Sequence, residues 1–343
     1  MSKAIIFLSA LFLAQLGFWA PTHIEKNDTA KTIIDGVTLV APPQPFPSDP
    51  MVEVNQMAAD WISCVPYGFV RFDSNDIRYN LKFQWWGERK EGIEKTIAYA
   101  HENGAKVMLK PQIWSPDGWI GDYHLETAAE WELWEKNFTD YILFYAQLAS
   151  DNDVELFCIG TEMKAHKKAR PNFFKQLIPK IKEIYCGELT YSANWDNYQE
   201  VNFWEQLDYV GLSAYFPVNE KATPEVDYLV KQWAPVEQEL AAYSRKIGRP
   251  ILFTEYGYLT VDGSGGKTWL LEKKVKRLPI NQKAQANCFE ALYQVFGEKD
   301  YWAGGFIWKW FPHGRGGEGY NERDYTPQGK MSFDVIKKYY SKW

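Results

Sequence analysis

From about residue 36 onward, short runs of β-branched and aromatic residues alternate with longer stretches whose apolar side chains recur every three or four positions. Runs of the first kind read as strands and stretches of the second as amphipathic helices. Eight strands are predicted, over residues 36–41, 61–70, 106–114, 154–162, 189–195, 207–215, 250–258 and 302–310. Helices are predicted between them, among others over residues 91–103, 128–150, 171–185 and 281–296, the first stopped by Gly104. In the second of these, Trp131, Trp134, Phe138, Ile142, Tyr145 and Leu148 fall at helical spacing, so they are expected to pack against a sheet. Repeated strand–helix units in this number predict an α/β fold, a (β/α)8 TIM barrel, as a single domain over residues 36–343. A chain of 343 residues suits that reading, because such barrels routinely exceed ~250 residues.

The pattern differs at the N-terminus. Lys3 precedes an apolar run over residues 4–20 interrupted only by Ser9, Gln15 and Gly17, the form of a signal peptide. The run is short for a transmembrane span, which needs about 20 apolar residues. Residues 17–21 lack a small-x-small cleavage site, so a signal peptide and an uncleaved N-terminal anchor both stay open. Residues 21–35 are expected to form a tether. Export is predicted (secreted, periplasmic or membrane-anchored), with any membrane contact made through residues 1–20 alone.

Net charge is −6 and the isoelectric point about 5.6, which argues against a nucleic-acid partner or an anionic membrane surface. The 16 Trp, 21 Tyr and 20 Phe exceed what a core of this size requires. Flat aromatic faces pack against the C–H faces of sugar rings, although a Trp-rich core gives the same count. Cys64, Cys158, Cys186 and Cys288 have no metal-type spacing, and Cys64 and Cys158 sit in apolar strand runs as buried small hydrophobes.

A barrel places its chemistry at the C-terminal ends of its strands. The polar residues of this chain fall there: Lys110 and Gln112, Glu162, Asn194 and Trp195, Tyr215, Glu255, and Trp308. Strand alternation predicts that Glu162 shares a side with Gly160 and Cys158 while Phe157 and Ile159 face the helices, and that Glu255 shares a side with Phe253 and Ile251. Burying a carboxylate after an apolar strand is unfavourable without a purpose. Either glutamate alone fits a helix cap, but two across one barrel mouth are the minimal equipment for cleaving a glycosidic bond, which needs no metal or cofactor. Spacing does not assign their roles. A carboxyl separation of about 5–5.5 Å is expected for a retaining enzyme, against about 9 Å for an inverting one. Of the histidines, His101 falls in a predicted helix, His166 just beyond Glu162, and His124 and His313 in loops, where a surface position is expected. The glycine-rich residues 314–319 do not link a strand to a helix, so they read as a flexible rim loop, and residues 261–267 read likewise.

The segments "VAPPQPFP", "WWGE", "VMLKPQIW", "GWIGD", "FCIGTEMK", "LTYSANWDNY", "LDYVGLSAYFP", "ILFTEYGY" and "GFIWKWFP", in this order, span nearly the whole predicted domain. Together they resemble glycoside hydrolase family 113, the group that includes β-1,4-mannanases. That family belongs to the clan of TIM-barrel glycosidases whose acid/base closes the fourth strand and whose nucleophile closes the seventh. The resemblance implies Glu162 as acid/base, Glu255 as nucleophile and Tyr215 beside the nucleophile. It implies Trp308 as the aromatic floor under the sugar, and Lys110, Gln112, Asn194 and Trp195 as hydroxyl and stacking contacts. Rim packing remains the alternative for Trp308 and Trp195, and an ion pair with Glu255 or Glu162 the alternative for Lys110. Most families of the clan carry Asn before the acid/base; Thr161 stands there, as in family 113, so the group that reads the sugar's 2-hydroxyl is open. The expected partner is a mannan or glucomannan polysaccharide or oligosaccharide. The same mechanism on β-glucans, an exo-β-mannosidase and a non-catalytic carbohydrate-binding barrel are the alternatives.

Overall fold

The computed structural model describes residues 33–312 and 322–343. Residues 1–32, with the predicted leader, and His313 with residues 314–319 lie outside them. In chain order the strands are β1 (Ile34–Leu39), β2 (Trp61–Cys64), β3 (Tyr67–Phe69), β4 (Lys106–Leu109), β5 (Gln112–Trp114), β6 (Leu156–Thr161), β7 (Glu188–Asn194), β8 (Val210–Ser213), β9 (Ile251–Tyr256) and β10 (Trp302–Trp310). Eight of them close a parallel barrel in the order β1-β10-β9-β8-β7-β6-β4-β2, as the alternating pattern predicts. The helices are α1 (Met51–Gln56), α2 (Lys90–Glu102), α3 (Ala128–Asp151), α4 (Lys164–Ala169), α5 (Phe173–Lys182), α6 (Val226–Ile247), α7 (Thr268–Glu272), α8 (Gln282–Phe296) and α9 (Met331–Tyr340).

Two long predicted strands are each broken in two. Pro66 separates β2 from β3 and Pro111 separates β4 from β5, because proline has no N–H for the ladder. Beyond the prolines, β3 and β5 pair in parallel outside the barrel, with Tyr67 opposite Gln112 and Phe69 opposite Trp114. The structured chain also starts earlier than expected, since β1 begins at Ile34 inside the predicted tether.

Ile34, Trp61, Met108, Leu156, Cys158, Leu252 and Phe306 fill the barrel interior. Gly36 lies among them, and a Cβ there would stand 2.4 Å from the Phe306 ring, so no larger residue fits. The outward strand faces meet the helices. Trp131, Trp134, Phe138, Ile142, Tyr145 and Leu148 of α3 are all buried, so these aromatics belong to the core. A capping box between Thr127 and Glu130 starts α3. Residues 261–267 are packed, contrary to the flexible loop expected of them. Val261 bridges Ile280, Asn219 Nδ2 donates to Ser264 O at 2.7 Å, and Gly263 and Gly265 take φ +82° and +80°. The glycines there serve left-handed turns that side chains disfavour. All four cysteines are free, and Cys64, Cys158 and Cys288 are buried. Among the described residues no helix is long and apolar enough to cross a membrane.

Candidate active site

Glu162 and Glu255 stand at the C-terminal ends of β6 and β9, the fourth and seventh barrel strands, but strict alternation does not bring them there. On β9, Ile251 and Phe253 face the helices, Phe253 packing on Phe296 and Trp302, while Leu252 lies inside. The pairing of β9 with both neighbours slips around residues 253–255, and Thr254 and Glu255 both turn inward. The expected common side for Glu255 and Phe253 is therefore wrong, because a bulge inserts an extra residue. On β6, Cys158 is inside and Phe157 and Ile159 outside as predicted, but Gly160 is not on the side of Glu162. A Cβ on Gly160 would point at Tyr191 and at Phe174 of α5. The β6–β7 register slips between Cys158 and Thr161, and Glu162 follows at φ +55°, a left-handed conformation uncommon for a residue with a side chain. Glu162 N–H donates to Ser192 O at 2.8 Å and Met163 N–H to Tyr191 Oη at 2.8 Å, which holds that turn.

The two carboxyl groups have different surroundings. Glu255 is 6% exposed and carries an ion pair from Lys110 Nζ on Oε1 and a hydrogen bond from Tyr215 Oη on Oε2 at 3.1 Å. Lys110, fully buried, also donates to Gln112 Oε1 at 2.9 Å. Lys110 thus makes the ion pair with Glu255 and holds Gln112 beside it. Burial and the charge of Glu255 push the Tyr215 hydroxyl well above its ordinary range, so it stays a neutral donor. Glu162 is half-buried, and its Oε2 accepts a hydrogen bond from Trp119 Nε1 at 2.5 Å. Burial, then the charge of Glu255, raises the Glu162 carboxyl above its ordinary value; Ser213, Trp119 and Lys110 pull it partly back. Below both, Ser192 Oγ lies 3.0 Å from Ser213 Oγ and 2.6 Å from Thr254 Oγ1, a hydroxyl cluster lining the mouth's floor.

Trp308 is half-buried near the end of β10 and, like Tyr215, packs against the apolar cluster that contains Tyr325. Lys110, with Gln112 beside it, and Tyr215 therefore gather on Glu255, and Trp308 shares the apolar neighbours of Tyr215. Asn194 and Trp195 sit apart from it in the contacts they make. Asn194 Nδ2 donates to Asp196 Oδ1 at 3.0 Å, and Trp195 stacks on Trp269 with centroids 5.8 Å apart and planes 17° from parallel. His101 pairs with Glu155 and His124 packs on Trp131. His166 is buried among Trp131, Trp134, Phe173 and Phe174. Among the described residues no group of His, Cys, Asp and Glu could hold a metal ion.

Trp119, Trp269 and the serine–threonine cluster escaped the sequence reading. Trp119 lies in a loop with no periodicity to mark it, although the quoted segment "GWIGD" contains it. Four Trp among the described residues are more than a third exposed (Trp85, Trp114, Trp119 and Trp269); Trp114 ends β5, and the others lie in segments beyond strand ends. The aromatic excess is thus divided between a packed core and this rim.

The comparisons agree with this fold. The sequence model of Glycoside Hydrolase Family 113 matches residues 45–330. No curated protein matches the chain. Among solved structures, the family 113 β-mannanase of Alicyclobacillus acidocaldarius, in complex with ManMIm, is 24% identical with a TM-score of 0.77, over 90% of this chain and 97% of that one. A family 113 β-1,4-mannanase is 22% identical with a TM-score of 0.75, over 91% and 100%. The β-glucuronidase of Ruminococcus gnavus shares the fold more distantly, at 12% identity and a TM-score of 0.61, over 90% of this chain and 50% of that one. With its model spanning most of the chain, the protein belongs to glycoside hydrolase family 113.

Proposed function

We propose that this glycoside hydrolase cleaves β-1,4-mannosidic bonds in mannan or glucomannan with retention of configuration, Glu255 serving as nucleophile and Glu162 as acid/base. The observation that carries the reading is the opposite setting of two carboxyl groups at one barrel mouth. Glu255 accepts from both Lys110 and Tyr215, whereas burial, then the charge of Glu255, raises the Glu162 carboxyl, as a proton donor requires. In the first step a Glu255 oxygen attacks the anomeric carbon while Glu162 passes its proton to the departing glycosidic oxygen. In the second, Glu162 takes a proton from water, whose oxygen displaces Glu255 from the anomeric carbon. The mannose preference is supported by the solved relatives, which are β-mannanases. The apolar run at residues 4–20 supports action outside the cytoplasm, where polysaccharide is met.

The test is digestion of mannan, glucomannan and cellulose oligosaccharides with the anomeric form of the first products read by NMR. β-Mannose products appearing first are expected. First products of α form overturn retention, and cleavage of gluco-substrates alone overturns the sugar. Glu255→Ala should abolish turnover in a folded protein. Glu162→Gln should lose far more on substrates with poor leaving groups than on activated aryl glycosides, and equal losses remove the acid role.

A further inference from the structure

The backbone that carries Glu162 has no regular support. Glu162 takes φ +55°, and Met163 follows at φ −81° and ψ 64°, an inverse γ-turn closed by Lys164 N–H on Glu162 O at 2.8 Å. β6 has ended at Thr161 and α4 begins only at Lys164, so neither ladder nor helix fixes the two residues between them. A left-handed residue with a side chain persists only where its surroundings over-determine it. Here the surroundings are two consecutive residues of β7. Ser192 lends its carbonyl to Glu162 N–H, and Tyr191 lends its hydroxyl oxygen to Met163 N–H, both at 2.8 Å.

The first bond is of the kind any neighbouring strand supplies, but the second needs Tyr191 in particular. Its ring is fully buried, with Phe174, Phe203 and Trp204 against it at centroid separations of 5.2, 5.3 and 6.1 Å. Gly160 gives the ring room across β6, since a Cβ there would stand 3.1 Å from it. A ring held on these sides keeps Oη at one point beneath the turn. Burial pushes the Tyr191 hydroxyl well above its ordinary range, so it stays neutral. The bond itself is buried, so no solvent stands ready to replace the oxygen on Met163 N–H.

We propose that Tyr191 is a positioning residue for the acid/base: its hydroxyl fixes the turn that aims the Glu162 carboxyl at the glycosidic oxygen. This rests on the glycosidase reading and deepens it. Tyr191 touches no substrate in this role. It acts through one backbone N–H on the residue next to Glu162, so its loss should behave as a partial loss of Glu162 and of nothing else.

The experiment measures kcat/KM, which reports the step in which the leaving group departs. The substrates are mannan oligosaccharides, whose leaving group is another sugar, and their activated aryl glycosides. Wild type, Tyr191→Phe, Glu162→Gln and the double variant are compared. Tyr191→Phe deletes one oxygen and keeps the packed ring, so the variant folds. Phe203→Leu loosens the same aromatic packing with the hydroxyl left in place, which separates lost stability from lost aim. Tyr191→Phe should lose about ten- to a hundredfold on the oligosaccharides, as a misplaced catalytic group does, and little on the aryl glycosides. On the Glu162→Gln background it should cost nothing more. Phe203→Leu should lower the Tm without this leaving-group pattern. Equal losses on the two kinds of substrate overturn the proposal, as does a loss that multiplies on the Glu162→Gln background or the same pattern in Phe203→Leu. If wild type cleaves none of these substrates and none of their gluco-counterparts, the glycosidase reading falls first and the role of Tyr191 with it.

Discussion

Glu255 receives a donor on each carboxylate oxygen, whereas Glu162 accepts an indole N–H from Trp119, 43 positions away in sequence. That bond, with Ser213 and the charge of Lys110, opposes the upward push of burial on the Glu162 carboxyl. Its removal has a definite sign: a hydrogen bond to the charged form lowers a carboxyl's pKa, so losing it raises the pKa. Trp119→Phe should therefore move the basic limb of the kcat profile to higher pH, measured on a substrate with a poor leaving group. An unmoved limb with only a KM change would mean that Trp119 serves substrate binding alone. Glu162 and Glu255 were legible in the sequence because a carboxylate closing an apolar strand is conspicuous. Lys110 was visible as a possible ion-pair partner of Glu255 or Glu162, but choosing between them required closing the barrel across 145 positions.

At the scale of elements, both glutamates owe their aim to irregularities that a two-residue period does not contain. The bulge on β9 turns Thr254 and Glu255 to the same side, and the one on β6 turns Gly160 away before the left-handed turn at Glu162. A bulge depends on how neighbouring strands register, so the alternation of one strand cannot reveal it. The breaks at Pro66 and Pro111 had the opposite status: both prolines were in plain view, and the ladder's need for an N–H at those positions accounts for them. Packing inside the barrel yields a further expectation. Gly36→Ala drives a methyl into the Phe306 ring, and overpacking of this kind typically destabilises by about 1–3 kcal/mol. Thermal unfolding should show a Tm lower by a few degrees. An unchanged Tm would show that Phe306 can move aside.

For the molecule as a whole, the groups that set pH stability are not those of the proposed chemistry alone. Asp35 on β1 is 5% exposed and sits against Asp60, and burial, followed by that neighbour, raises its carboxyl from 3.8 to about 9. The folded state holds this proton while the unfolded state releases it. Its contribution to stability is therefore fully present below about pH 3.8 and is lost as pH rises toward 9. Asp35→Asn keeps the shape and removes the titration, so the melting temperature of the variant should fall less than that of wild type between pH 5 and 9, a span over which ~2.303RT per pH unit per proton acts. Parallel curves would place the shared proton elsewhere.

Eight strand–helix units, the two glutamates and the aromatic residues closing the strands are all present in the order of residues. Local pattern carries them: hydrophobic period sets element type, and a barrel's connectivity sends every strand's C-terminal end to one face. The family resemblance is written in the same strand ends. Tertiary structure decided the rest. It chose between core and rim for each Trp, set Lys110 on Glu255 and Trp119 on Glu162, and packed residues 261–267. Each of these depends on which distant segments meet, and on how burial and neighbouring charge act once they do.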